Sequence, residues 1–163
     1  DDLAAVDPDN GNWTVGLTTL SGSGKVNIGA TANWNSNVPS LQEVGVGDVN
    51  GDGLSDIIGY TRNGTRIVWH ALVSNGLDAF VDVSSNFGGR ARTAASLQVG
   101  DFSGDGLTDA ALRDGNTWWV SVAIGDGTFG AATRWTQQWN SGWTDVQVGD
   151  FDGILNSAIG GGQ

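Results

Sequence analysis

Three times along the chain an alternating apolar pair leads into a polar, glycine-broken stretch: Val44 and Val46, Leu97 and Val99, Val146 and Val148. A compact apolar run follows the first two, "DIIGY" at 56–60 and "DAAL" at 109–112, and "DLAAV" at 2–6 is a third copy of that run. Each unit then has a segment of period two: Trp13, Val15 and Leu17; Ile67, Trp69 and Ala71; Trp118, Val120 and Val122. Period two predicts strands with one buried face. A fourth segment ("KVNIGAT", "AFVDVSS", "TFGAATRW") follows a turn containing glycine, such as "SNG" at 74–76 or "GDG" at 125–127. Apolar residues never recur at helical spacing over three turns, so no amphipathic helix is expected.

The polar stretches "DVNGDGLSD" (48–56) and "DFSGDGLTD" (101–109) lie 53 residues apart, and the "VGD" ending at Asp150 follows 49 residues later. Four short strands in a repeat of about fifty residues predict an all-β chain of β-propeller blades, each of four antiparallel strands. A barrel or sandwich also has short strands with regular turns, but the repeat favours the propeller. Residues 1–163 then form one propeller module, with units at roughly 1–43, 44–96 and 97–145 and a closing strand at 146–150. That makes about three blades, where propellers typically have four to eight. The chain therefore reads as a fragment of a longer ring or as half of a six-bladed assembly. It starts at a second-type strand and stops after a first-type strand, so its ends are expected to pair between molecules in a homo-oligomer or to continue in a longer propeller.

Acidic residues are concentrated in the repeated loops. Calcium takes six to eight oxygens from carboxylates, amides, main-chain carbonyls and water. The first loop offers Asp48, Asn50, Asp52, the Leu54 carbonyl and Asp56, and the second offers Asp101, Ser103, Asp105, the Leu107 carbonyl and Asp109. Glycines at 51 and 53 permit the curl that turns alternate side chains toward one centre, and Leu54 is expected to bury its side chain. Without a cation the clustered carboxylates repel one another; a divalent ion converts that repulsion into cohesion. An EF-hand needs a bidentate acid at position twelve and flanking helices, and here Gly59 and Leu112 stand at that position between strands. Dockerin-type loops fail on the same two points. The third copy, "DFDGILNSA", keeps Asp150 and Asp152 but has Ile154 and Ala158 where the other loops have acids, so it is a degenerate site that is not expected to bind calcium alone. Two calcium sites are expected.

"VGDVNGDGLSDIIG" and "VGDFSGDGLTDAAL", with "GDGTF" at 125–129, resemble the FG-GAP/VCBS repeats of integrin α-chain propellers, secreted bacterial proteins and a fungal sugar-binding lectin. The resemblance is strong over 41–150. It implies a propeller whose calcium loops join the first and second strands of a blade. It implies no single activity, since the family includes adhesion modules, sugar binders and appendages of enzymes.

Composition narrows the function further. The net charge is −11, and Glu43 is the one Glu among 18 acidic residues. Such a chain is repelled by phosphate backbones and anionic membranes, so nucleic acid is excluded as a partner. Membrane insertion is not expected either, because no run of about 18 apolar residues occurs. There is no Cys, which removes disulfides and thiolate metal sites. The absence of an initial Met reads as processing or excision.

The only histidine, His70, falls out of phase with the apolar face of its strand and is expected at a solvated or rim position, with nothing to suggest a nucleophilic triad. Eight tryptophans are many for this length. Trp13, Trp69 and Trp118 occupy alternating positions expected to pack core or blade-to-blade contacts. Trp34, Phe87 and Trp139 fall in the connections before first-type strands. They either plug the gaps between blades or stack on sugar. Asn12-x-Thr14 and Asn63-x-Thr65 match the glycosylation pattern, and the second is also an Asn-Gly hairpin turn.

The leading expectation is a calcium-stabilised, non-catalytic extracellular module for adhesion or for protein or carbohydrate recognition. Its alternatives are a lectin using Trp34, Phe87 and Trp139, and an accessory propeller of a polysaccharide-degrading enzyme.

Overall fold

The computed structural model describes residues 2–34, 40–87, 94–135, 146–149 and 151, and the regular elements among them are all β-strands. In chain order they are β1 (Leu3–Val6), β2 (Trp13–Gly16), β3 (Thr18–Leu20), β4 (Val26–Ile28), β5 (Ala32–Asn33), β6 (Val44–Gly47), β7 (Asp56–Asn63), β8 (Arg66–Ser74), β9 (Phe80–Asn86), β10 (Ala94–Gly100), β11 (Asp109–Asp114), β12 (Thr117–Ser121) and β13 (Thr133–Trp135). Two complete sheets run β6-β7-β8-β9 and β10-β11-β12-β13, every pairing antiparallel between chain neighbours. This is the four-stranded blade predicted from the repeat.

The first sheet departs from that plan. It has three strands, β1-β2-β5, and the expected fourth segment "KVNIGAT" instead contributes β4 to a separate hairpin with β3. Leu20, Val26 and Ile28 in that hairpin are exposed. The two-residue strand β5 takes the outer place, pairing Ala32 with Val15 and Asn33 with Thr14. At the other end, residues 146–149 form no strand. Asp150, the last residue of the expected closing strand, lies outside the described residues.

Because strand side chains alternate, the second sheet has two faces, and both are covered. Ile58, Tyr60, Trp69 and Ala71 pack with Leu97, Ala110 and Leu112 of the third sheet. Ile57, Leu72 and Phe80, on the opposite face, pack with Trp13, Val15 and Trp34 of the first. A fully buried Ile or Leu contributes roughly 1.5–3 kcal/mol by leaving water, so the stacking of sheet on sheet is the main cohesive term.

The innermost strands approach one another through glycine. A methyl group at Gly45 would stand 2.7 Å from the Val99 side chain, and one at Gly100 would stand 2.7 Å from Val148. Val44 and Val46 of β6 are themselves exposed, as the first sheet presents no inner strand against them. At Gly47 an added methyl would overlap the Thr108 side chain, in the loop of the following sheet. Gly47→Ala is therefore expected to cost about 1–3 kcal/mol by overpacking, measured as a shift in the urea midpoint at unchanged m-value.

Candidate metal centre

The two acidic loops occupy equivalent places, 48–55 between β6 and β7 and 101–108 between β10 and β11. Each is curled by its leading aspartate. Asp48 Oδ1 accepts the Gly51 N–H at 2.7 Å and Oδ2 that of Gly53 at 2.8 Å. Asp101 repeats this, with Oδ1 accepting Gly104 at 2.6 Å and Asp105 at 3.1 Å, and Oδ2 accepting Gly106 at 2.9 Å. The glycines have φ of 79° and 83° in the first loop and 79° and 90° in the second, backbone conformations that a Cβ would strain.

Middle positions follow the same scheme. Asp52 Oδ1 accepts the Leu54 N–H at 2.8 Å, and Asp105 Oδ1 accepts that of Leu107 at 2.9 Å. Asn50 accepts the Asp52 N–H at 3.0 Å and donates its own amide to Asp52 Oδ2 at 3.0 Å. Ser103, which replaces Asn50, gives its main-chain N–H to Asp109. Leu54, expected to bury its side chain, is instead 38% exposed, whereas Leu107 packs partly against the core. The Leu54 side chain rests beside Gly76, where a glycine leaves room but no apolar surface to cover it.

The last aspartate of each loop is fully buried. Asp56 accepts Val49 N–H at 3.0 Å and Ser74 N–H at 2.9 Å; Asp109 accepts Ser103 N–H at 2.8 Å and Ala123 N–H at 2.9 Å. One carboxylate thus ties the loop to the far end of the third strand in its own sheet. Burial pushes the Asp56 and Asp109 carboxyls above their ordinary value, opposed by those amide hydrogen bonds and reinforced by Asp52 and Asp48 in the first case and Asp105 in the second. The loops also meet each other: the Thr108 N–H donates to the Asp48 carbonyl at 2.7 Å.

Among the described residues no group of three or more His, Cys, Asp or Glu is already gathered as a metal cluster. The donor set nevertheless fits a hard cation in kind. All its ligands are oxygens, and the carboxylate oxygens of Asp48 and Asp56 each accept a single main-chain amide, leaving lone pairs for a metal. Asp150 and Asp152 of the degenerate third loop lie outside the described residues.

The aromatic candidates turn out otherwise. Trp34 is buried against Phe80, ring centroids 5.0 Å apart, and Phe87 is fully buried between Trp69 and Trp119. Both fill space between sheets and offer no face to a sugar, which corrects the expectation that they bind ligand. Trp139 lies outside the described residues. His70 also departs from its expected rim position. It is buried, with Nδ1 2.9 Å from Asp82 Oδ1 and Nε2 3.0 Å from Thr61 Oγ1, because the second face of its sheet is covered by the first sheet. No described helix is long and apolar enough to cross a membrane.

No curated protein matches the chain. A family model described as FG-GAP-like repeat matches residues 48–112, from the first aspartate of one loop through the second loop and into β11. The segment carrying both acidic loops and strands β7 to β10 is thus similar to the FG-GAP-like repeat family.

Proposed function

We propose that the chain is a calcium-stabilised, non-catalytic propeller module of an extracellular protein, serving adhesion or recognition of a protein or carbohydrate ligand. The observation that carries this reading is the duplicated loop: two oxygen-only donor sets, curled by the same aspartate-to-glycine hydrogen bonds and closed by the same buried aspartate. Asp48, Asn50, Asp52, the Leu54 carbonyl and Asp56 would hold one ion, and Asp101, Ser103, Asp105, the Leu107 carbonyl and Asp109 the other. Calcium supplies positive charge that offsets the mutual repulsion of these carboxylates. Modest ligand sets of this kind suit extracellular calcium, where binding constants of about 10⁻⁴–10⁻³ M suffice.

Calcium at about ten times its dissociation constant adds roughly 1.4 kcal/mol per site, so two sites raise the thermal midpoint by roughly 6–10 °C relative to chelator. Asp52→Asn combined with Asp105→Asn keeps the Oδ1 acceptor for Leu54 and Leu107 while removing charge from each set. The double variant should melt near the wild type in chelator and gain little from calcium. An equal calcium shift in wild type and double variant, or none in the wild type, would end this assignment.

Further blades complete the module in this reading, supplied by a second copy or by a longer propeller. What favours this is the edge of the first sheet: among the described residues β1 pairs only with β2 and Leu3 and Val6 are exposed on it, while Val44 and Val46 of β6 in the second sheet are exposed as well. An unpaired edge flanked by exposed apolar residues is a template for another strand. Light scattering of the 163-residue chain at micromolar concentration distinguishes a monomer from an assembly.

A further inference from the structure

The sequence contains four Asn–Gly pairs: Asn10–Gly11, Asn50–Gly51, Asn63–Gly64 and Asn75–Gly76. An Asn–Gly pair is the dipeptide most open to cyclisation, because glycine puts no side chain in the way of its own nitrogen. The reaction needs two things of the fold: an asparagine amide free to turn back along the chain, and a glycine N–H free to leave its hydrogen bond.

Three of the pairs fail both requirements. Asn10 accepts the Asn12 N–H at 2.9 Å and donates to Asp7 at 2.7 Å, while the Gly11 N–H is held by the Asp7 carbonyl at 2.8 Å. Asn50 is locked to Asp52 through both atoms of its amide, and Gly51 N–H donates to Asp48 at 2.7 Å. Asn75 accepts the N–H groups of Leu77, Asp78 and Ala79 and donates to Asp78, with Gly76 N–H on Ser74 Oγ at 3.1 Å. Asn63 differs. It is exposed at the tip of the β7–β8 hairpin, and no hydrogen bond engages its side-chain amide or the Gly64 N–H among the described residues.

We infer that Asn63 is a site of spontaneous deamidation in the folded protein, selected over the other three pairs by the hydrogen bonds it lacks. The Gly64 amide nitrogen, losing its proton to base, attacks the Asn63 Cγ; the new N–C bond forms, the Cγ–Nδ2 bond breaks, and ammonia leaves with the proton. The resulting five-membered succinimide is opened by water at either carbonyl, giving aspartate or isoaspartate. The net change is amide plus water to carboxylate plus ammonium, with no oxidant or reductant. The position magnifies the effect. Asn63 pairs with Arg66 across a two-residue turn that sets the register of the whole β7–β8 ladder down to Ile57 and Leu72. Isoaspartate inserts a methylene into the main chain at that turn, and either product puts a negative charge between Arg62 and Arg66.

The test is incubation of the folded 163-residue chain in mildly alkaline buffer at body temperature, with peptide mapping by mass and detection of isoaspartate by enzymatic methylation. Each hydrogen bond that must open lowers the reactive population about fivefold, so two lower it about 25-fold, and Asn63 should react at least about tenfold faster than Asn10, Asn50 and Asn75. In denaturant the four rates should converge, and Asn63→Gln should abolish the native signal. A native preference for Asn63 below tenfold overturns the assignment. So does a preference that survives unfolding, which would place its origin in local sequence.

Discussion

Trp69→Ala is expected to lower the stability of the folded chain by about 3–5 kcal/mol, the usual cost of emptying a fully buried tryptophan site. The side chain is completely enclosed and meets Tyr60 edge-on at 6.0 Å and Phe87 and Phe129 at 5.8 Å each. Its indole N–H donates to Ser121 Oγ at 3.1 Å, 52 residues away in the third sheet. The substitution therefore removes the packing between the second and third sheets and leaves a buried serine hydroxyl without its donor. At roughly 2–4 °C per kcal/mol for a chain of this size, the thermal midpoint falls by about 6–20 °C. Trp69→Phe keeps much of the volume and loses the hydrogen bond, so it should fall between the two. Should Trp69→Ala melt within two degrees or so of the wild type, the stacked-sheet core described above is wrong.

That core was only half legible in the sequence. Alternation marks Trp69 and Ala71 as inward, and the structure agrees. It also marks His70 as outward, and there it misleads, since period two assumes a sheet with one wet face. When sheets stack on both sides, His70, Leu72 and Ile57 are enclosed as well, and the histidine needs Asp82 and Thr61 as partners. Trp34 and Phe87 share that blind spot. A loop aromatic flanked by polar residues looks the same in sequence whether it plugs a gap or faces a ligand, and only the neighbouring sheet decides.

The position of the loops and their glycine curl were legible, because that geometry is local: an aspartate three and five residues before glycines of positive φ accepts their amides with little help from the rest of the fold. Contacts between loops were not. The Thr108 N–H on the Asp48 carbonyl, and the clearance Gly47 gives to Thr108, depend on how one sheet lies over the next. The first sheet's extra hairpin had no clear signal either. Leu17, Val26 and Ile28 read as strand residues, and nothing in their spacing shows that β4 pairs with β3 instead of β2.

Asp109→Ala, and likewise Asp56→Ala, should cost about 2–6 kcal/mol even in chelator, a result that separates the structural role of these residues from any role as metal ligands. Each carboxylate satisfies two main-chain N–H groups, and truncation strands both of them, one at the loop and one at the end of the neighbouring hairpin. Asp52 and Asp105 are exposed, so their replacement by Asn should be nearly silent under the same conditions. The pH dependence has a definite sign. Because burial raises the folded-state pKa of Asp109 and Asp56, their titration contributes stability that is fully present below the ordinary carboxylate value of about 3.9 and is lost as pH rises through the folded value. In chelator the advantage of the wild type over Asp109→Ala should therefore widen as pH is lowered through that window, the reverse of a salt-bridged aspartate. Urea unfolding of both proteins across a pH series measures it. An advantage that shrinks on acidification would mean that the amide hydrogen bonds outweigh burial and hold the Asp109 carboxyl below its ordinary value.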